Sequence, residues 1–80
     1  MNEAFQQRPN GGFALTFRNN VQVSVVPTED KEFAEVCVIK LPGTNITREY
    51  NAERTNPDDG IIYKCTSDDI ANIIKWAKDQ

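Results

Sequence analysis

The chain has 80 residues, of which 39% are hydrophobic and 26% are charged, and its net charge is −3. This composition is typical of one small globular domain and argues against an intrinsically disordered chain. The nine Lys and Arg residues are scattered along an acidic chain, which argues against direct binding to a nucleic-acid backbone. Because so short a chain buries little surface, we expect shallow binding surfaces, and dimerisation would be one way to recover burial.

The chain contains no histidine, and it therefore lacks the commonest general base and metal ligand. No glycine-rich phosphate loop opens a helix, and no cysteine pair has the spacing of a zinc site. The two cysteines, Cys37 and Cys65, are too few for a disulfide scaffold, so we expect reduced thiols rather than one disulfide. Cys37 lies among valines and is predicted to be buried and inert. The sequence thus predicts a protein that is not an enzyme and holds no cofactor or metal.

The first residues contain neither the basic segment nor the apolar segment of a secretory signal. No apolar run approaches the roughly 18 residues that a membrane span needs. We therefore expect a cytoplasmic protein that does not associate with a membrane.

The chain begins with a polar stretch that ends in PNGG at residues 9–12, which is a strong loop signal. We expect residues 1–11 to form a flexible N-terminal arm of a single domain that spans residues 1–80. Phe5 is the candidate anchor of this arm.

Residues 13–17 and 21–25 alternate between large apolar and small or polar side chains, which predicts two half-buried strands. A turn of three residues between them would pair Phe17 with Val21 and keep the large apolar residues on one face. A two-residue turn would slip the register by one position and expose this face. We therefore predict the three-residue turn, which requires a left-handed conformation that Asn20 tolerates.

Further strands are predicted in the middle of the chain. Residues 33–40 form the third strand, whose apolar centre indicates a central position or a covered outer face. A turn at 41–45 leads to a weaker edge strand at 46–50. A long loop at 51–60 then precedes residues 61–65, which form either a short fifth strand or the lead into a helix.

The last segment is predicted to be a helix. Thr66 or Ser67 caps it, acidic residues occupy its first turn and lysines its last, which matches the helix dipole. Its apolar stripe, which should face the apolar side of the first two strands, contains Ile70, Ile73, Ile74 and Ala77. The sequence therefore predicts an α+β fold in which an antiparallel meander of four to five strands packs against one C-terminal helix.

Trp76 lies at the edge of the apolar stripe. It is either a boundary residue that covers the core rim or an anchor for a partner, since Trp is enriched among binding hot spots. The acidic stretch at 29–35 is either a solvated loop or a decoy surface that mimics a nucleic-acid backbone for a basic partner. The candidate binding residues are Trp76, Tyr63, Tyr50, Phe33, Glu29, Asp30 and Glu32.

Several segments of the chain carry a resemblance to known proteins. They are GFALTF at 12–17, the Asn19-Asn20 turn, VQVSV at 21–25, AEVCVI at 34–39, and the SDDI and IKW segments within 67–76. Together they resemble a small family of tailed-bacteriophage proteins. This chain differs from that pattern in carrying Asn20 where the relatives usually have glycine.

The resemblance implies a phage gene product that is made in the cytoplasm of the bacterial host. Small phage accessory proteins often bind and block host proteins, including CRISPR and other defence complexes. We therefore expect a non-catalytic accessory protein that binds a host or phage protein, with inhibition of a defence complex such as CRISPR as its anti-CRISPR-like role. The alternative is a nucleotide- or nucleic-acid-binding module that uses the polar face of the sheet, with Thr16, Gln22, Ser24, Arg18, Lys40 and Arg48.

Overall fold

The computed structural model describes residues 3–80. Over these residues the secondary structure comprises β1 (Ala4–Gln7), β2 (Phe13–Thr16), β3 (Val21–Pro27), β4 (Ala34–Lys40), β5 (Thr44–Asn45), α1 (Thr47–Tyr50), β6 (Ile62–Cys65) and α2 (Ser67–Lys78). The strands form one antiparallel sheet in the order β1-β2-β3-β4-β5, and β6 also pairs with β4. This architecture confirms the predicted α+β fold of an antiparallel sheet and a C-terminal helix, although residues 3–80 form six strands instead of four to five and β6 departs from the meander order.

The hairpin of β2 and β3 has the predicted register. The Phe17 N–H donates to the Val21 carbonyl at 2.9 Å, and the Asn20 N–H donates to the Phe17 carbonyl at 3.0 Å. Asn20 is left-handed, with a φ of 67°, and Leu15 pairs with Val23. The three-residue turn is thus confirmed, and it keeps the apolar side chains of both strands on one face.

Helix α2 packs on that apolar face, and the core lies between the helix and the sheet. Its N-terminus is a capping box, in which the Asp69 N–H donates to Thr66 Oγ1 at 3.2 Å and the Thr66 N–H donates to Asp69 Oδ2 at 2.9 Å. The buried core cluster consists of Val21, Val23, Val25, Ala34, Val36, Val38, Ile46, Ile62, Cys65, Ile73 and Ala77. The helix cap and the apolar stripe therefore agree with the prediction from the sequence.

The turn between β2 and β3 also holds the C-terminal end of α2. Asn19 Nδ2 donates to the Ala77 carbonyl at 2.9 Å and to the Gln80 carbonyl at 3.2 Å. The Ala77 carbonyl also accepts from the Gln80 N–H at 3.3 Å, so the Asn19 side chain adds a further donor at the end of the helix, where carbonyls lack the usual intrahelical partner. The Oδ1 atom of the same side chain accepts from the Val21 N–H at 3.1 Å, which joins the hairpin to the helix.

The sheet has a second face that α2 does not cover. Strand β4 lies centrally, between β3 on one side and β5 and β6 on the other, as predicted. Its burial alternates, however, and Cys37 and Ile39 on the second face are only half-buried. The expectation of a buried Cys37 is therefore wrong, whereas Cys65 lies in the core and is 1% exposed. Both thiols are free.

Two segments differ from the sequence prediction. Within the expected flexible arm, Ala4–Gln7 form strand β1, which pairs along β2 with Phe5 opposite Leu15. The Phe5 ring stacks on Phe13 with a centroid distance of 6.0 Å, so Phe5 does anchor this segment. Residues 1–2 of the arm lie outside the described residues.

The edge strand that was predicted at 46–50 is also wrong, because Thr47–Tyr50 form the single helical turn α1. Thr47 is fully buried, and its Oγ1 atom accepts from the Val38 N–H at 2.8 Å. This side chain supplies the bond that a continued strand would otherwise make. The chain can therefore turn into a helix at this point without leaving a buried N–H unpaired.

Candidate functional site

One end of the sheet forms a cleft beside the first turn of α2. At this end β2 and β4 begin and β3 and β6 end, and α2 starts directly after β6. The cleft has a volume of about 280 Å³, and its lining is mainly apolar. Its lining includes Phe13, Phe33 and Ile70, together with the polar residues Lys31, Glu32 and Ser67. We call this feature the α2 cleft.

The turn from β3 to β4 forms one rim of the α2 cleft, and internal hydrogen bonds hold it closed. The Thr28 N–H donates to the Phe33 carbonyl at 2.9 Å, and the Lys31 N–H donates to the Thr28 carbonyl at 2.9 Å. Asp30 Oδ1 accepts from Thr28 Oγ1 at 2.6 Å and from the Glu32 N–H at 3.1 Å. These two bonds hold the pKa of Asp30 below its ordinary value. Asp30 therefore shapes the turn, and it is charged at neutral pH.

The same turn combines an exposed aromatic ring with acidic neighbours. Phe33 is 37% exposed although it is a large apolar residue that lines the cleft. Glu29, Asp30 and Glu32 precede it within a few residues, and all three are exposed. The arrangement can take up an apolar side chain in the cleft and attract cationic groups beside it.

Trp76 and Tyr50 lie together at a different part of the surface. Their ring centroids are 5.5 Å apart, and the planes meet at 63°, which is an edge-to-face contact. Both rings are half-buried and pack against the core. Trp76 is thus a boundary residue that covers the rim of the core, six positions beyond Ile70 along α2.

Tyr63 occupies a third place, on the outer part of β6, where it is 40% exposed. Its hydroxyl donates to Asp59 Oδ2, and this bond is the main reason that the pKa of Tyr63 rises to about 12. The structure therefore brings four of the predicted binding residues together in one turn and leaves the other three elsewhere. The four are Glu29, Asp30, Glu32 and Phe33.

The second face of the sheet is the location of the alternative site. Thr16, Gln22 and Ser24 do share this face, and Gln22 Nε2 donates to Thr16 Oγ1 at 3.1 Å. Lys40 pairs with Val21 and therefore lies on the opposite side, which carries the helix.

The other two basic residues of the alternative site also lie elsewhere. Arg18 is in the hairpin turn, 3.5 Å from Glu3, and Arg48 is in α1. The predicted basic residues are thus not gathered on the polar face.

Arg8, which was not among the predicted site residues, places a cation on that face. Its Nη1 atom donates to Ser24 Oγ at 2.5 Å. Burial raises the pKa of the neighbouring Cys37 thiol, and the charge of Arg8 opposes this shift. Arg8 stands within the segment that was expected to be an arm, and no local pattern placed it beside Ser24.

Within residues 3–80, no helix is both long enough and apolar enough to cross a membrane. Over the same residues, no three potential metal ligands come together. Comparison with protein-family models, curated proteins and solved structures finds no match to this chain.

Proposed function

We propose that the protein is a non-catalytic binding protein, and that its α2 cleft receives an apolar side chain of a basic protein partner. The observation that carries the proposal is the exposed ring of Phe33 at an apolar cleft. Large exposed aromatic residues beside a pocket are typical anchors of protein interfaces.

The size of the cleft supports a protein partner rather than a small molecule. Its volume of about 280 Å³ lies just below the range of about 300–1,000 Å³ that is usual for small-molecule sites. A single side chain on the surface of a larger protein needs less enclosed space. The cleft therefore suits one anchor residue of a partner.

The charge of the rim supports a basic partner. The turn carries Glu29, Asp30 and Glu32 against the single cation Lys31, and the whole chain has a net charge of −3. Such an imbalance attracts a positively charged surface and speeds its association at low salt.

The biological context of the proposal comes from the resemblance of the strand and helix segments to tailed-phage proteins. We place the protein in the cytoplasm of a bacterial host, where it binds a host or phage protein. A basic component of a defence complex such as CRISPR is the partner class that this context favours.

The test is capture of a partner from host lysate, followed by calorimetry with the purified and identified partner. Phe33→Ala should weaken binding by about thirtyfold, which corresponds to a hot spot of about 2 kcal/mol. Tyr63→Ala is the matched control, because Tyr63 has nearly the same exposure but lies outside the cleft. Glu32→Gln should slow association and reduce its dependence on salt. Equal affinities for the wild type and Phe33→Ala, or the absence of any retained protein, would overturn the proposal.

A further inference from the structure

Strand β1 is an edge of the sheet, and its shortness is the only one of the usual protections that its four residues show. Among the residues described, only β2 pairs with it, and all four of its residues are exposed. Edge strands generally avoid association through lysine, proline, an inward charge or a bulge. The sequence of β1 is Ala-Phe-Gln-Gln, which contains no charge and no proline. Its register with β2 is regular from end to end.

The hydrogen bonds of the adjoining turn show which backbone groups of β1 point outward. The Arg8 N–H donates to the Gly12 carbonyl at 2.9 Å, so Arg8 directs its groups toward β2. Bonded positions alternate along an antiparallel strand. The N–H and C=O groups of Glu3, Phe5 and Gln7 therefore point away from the sheet, where another strand can meet them.

We propose that β1 pairs with β1 of a second copy of the chain, antiparallel about a two-fold axis at Phe5. The product is a symmetric dimer with one continuous sheet that contains the six strands of each copy. This inference is independent of the binding function proposed for the α2 cleft, which lies among the ends of β2, β3, β4 and β6.

The register follows from the pleat and from the free backbone groups. Opposed residues in a continuous sheet lie on the same face, so the axis must pass through a residue position of β1. An axis at Ala4 would pair Glu3 with Phe5 twice and would leave Gln7 without a partner among residues 3–80. An axis at Phe5 makes three bonded pairs, which are Phe5 with Phe5 and, twice, Glu3 with Gln7. An axis at Gln6 instead places Glu3 opposite Pro9, which has no N–H. The axis at Phe5 therefore satisfies more of the outward groups.

The side chains are compatible with this register. Phe5 is 66% exposed and would meet Phe5 of the second copy, which is a favourable cross-strand aromatic pair. Glu3 would face the amide of Gln7, so no two like charges lie directly opposite each other. The pairing thus satisfies the outward backbone groups without bringing like charges together.

The assembly should close at two copies and should be weak. Over residues 3–80, β1 is the one bare edge longer than two residues, because β5 has only two residues and the loop at 51–60 covers the outer side of β6 through bonds such as Asn56 N–H to the Ile61 carbonyl at 2.9 Å. A two-fold contact that uses this edge in both copies closes on itself and does not propagate into a fibre. Pairing of so short a strand buries less than the roughly 1,200 Å² of stable interfaces, so the dimer should dissociate on dilution. Because each copy carries a charge of −3, added salt should strengthen it.

The experiment is sedimentation equilibrium of the purified chain over a wide range of concentration. The wild type should show a reversible monomer–dimer equilibrium. Phe5→Lys places two like charges at the axis and should weaken the dimer by at least about tenfold. Gln6→Lys adds the same charge to the same strand, but this lysine would face Ala4 of the second copy. It should therefore change the dissociation constant of the dimer by less than about threefold. A wild type that stays monomeric throughout, or equal effects of the two lysines, would overturn the proposal.

Cross-linking tests the register separately. Bonded antiparallel pairs have Cα atoms about 5.5 Å apart, which lies within the range that a disulfide spans. Phe5→Cys should therefore form a covalent dimer under mild oxidation. Gln6→Cys should not form one, because the two introduced cysteines would lie out of register. The wild type, which has only its native cysteines, should not form one either. Equal cross-linking of both variants would refute the axis at Phe5.

Discussion

The two edges of the sheet are completed in opposite ways. The β1 edge carries backbone groups without a partner among the described residues, whereas the far edge of β4 is covered by residues 44–65. Strands β5 and β6 each pair with part of β4, at opposite ends of the strand. The chain thus covers the far edge of β4 with its own residues 44–65 and leaves the β1 edge uncovered over the described residues.

Between β5 and β6, the edge of β4 is closed without a strand. The Ile46 N–H donates to the Val38 carbonyl at 2.8 Å, and Thr47 Oγ1 accepts from the Val38 N–H at 2.8 Å. One backbone group and one hydroxyl therefore replace the missing strand partner. Because the bond from the Val38 N–H to Thr47 Oγ1 is buried, removing the hydroxyl should lower the stability of the fold.

The outer side of β6 is covered in the same manner. Arg54 Nη2 donates to the Tyr63 carbonyl at 3.2 Å, and Thr55 forms an isolated bridge with Ile62. Arg54 also contacts Asp69 of α2 at 2.9 Å, which joins this loop to the helix. Covering an edge with loops and side chains thus requires many specific contacts, so we expect substitutions at the covered edge to have larger effects than substitutions at the β1 edge.

The largest expected effect is at Thr47. Thr47→Val keeps the shape of the side chain but leaves the buried Val38 N–H without its acceptor. We expect a loss of about 1–3 kcal/mol in the free energy of unfolding, measured by urea denaturation. Thr44→Val is the matched control, because Thr44 is exposed in β5, and it should change stability little. Equal stabilities of the two variants would contradict the role of the hydroxyl.

The next effect is expected at Gly60, which the covering loop needs in a left-handed conformation. Its φ is +71°, and a Cβ atom there would lie 2.5 Å from Asn45 Nδ2. Gly60→Ala should therefore lower the free energy of unfolding by about 1–2 kcal/mol. Gly43→Ala meets no atom within 4 Å and should be close to neutral in the same denaturation experiment. A neutral Gly60→Ala would mean that the loop relaxes at no cost.

A smaller effect is expected at Arg54, whose side chain is 38% exposed. Arg54→Ala removes the bonds to the Tyr63 carbonyl and to Asp69, and should lower the free energy of unfolding by about 0.5–1 kcal/mol. The hydrogen bond from the Thr66 N–H is the main cause that lowers the pKa of Asp69 from its ordinary 3.8, and Arg54 lowers it further. The stability that this shift provides is present above pH 3.8 and is lost as the pH falls through the folded pKa. The difference between the wild type and Arg54→Ala should accordingly shrink in acid, and a difference that grows there would contradict the ion pair.

The phenol of Tyr63 reports on the covered edge at high pH. Its bond to Asp59 favours the neutral phenol and raises its pKa from 10.0 to about 12. The stabilisation is therefore complete below pH 10.0 and is lost as the pH rises through about 12. Tyrosinate absorbance of the wild type, minus that of Tyr63→Phe, should show this titration. Asp59→Asn should move it back toward 10.0, and an unchanged titration would exclude the bond.

The smallest effect on folding is expected on the bare edge. Gln6→Lys in β1 alters an exposed side chain and should change the free energy of unfolding by no more than about 0.5 kcal/mol. A dilute sample isolates the monomer, so urea denaturation there measures folding alone. A large loss would show that β1 contributes more to the core than its exposure indicates.

Local patterns were enough to predict the hairpin and α2. Alternation in β2 and β3 determined the register, and the need for one left-handed residue identified Asn20. The helix followed from Thr66 and a stripe of isoleucines. In each case the signal lies within a few residues along the chain, which is why the sequence was sufficient.

The remaining elements depend on contacts between distant residues. Ala-Phe-Gln-Gln has no clear alternation, so β1 was mistaken for an arm, although pairing with β2 makes it a strand. Residues 46–50 are rich in β-formers, and the burial of Thr47 against Val38 overrides that preference. The acidic turn with Phe33 was visible as a candidate, but the cleft beside it forms only where four strand ends meet α2.

The bonds from Asn19 to the end of α2 have a consequence for how the chain is made. Asn19 and Ala77 are separated by 58 positions, and the valines of β3 share their core with Ile73 and Ala77. At a synthesis rate of about 5–20 residues per second, the ribosome needs on the order of several seconds to reach the helix after completing the hairpin. During that interval the apolar face of the hairpin has no cover from its own chain. We therefore expect the nascent protein to depend on the ribosome surface or on chaperones until α2 emerges.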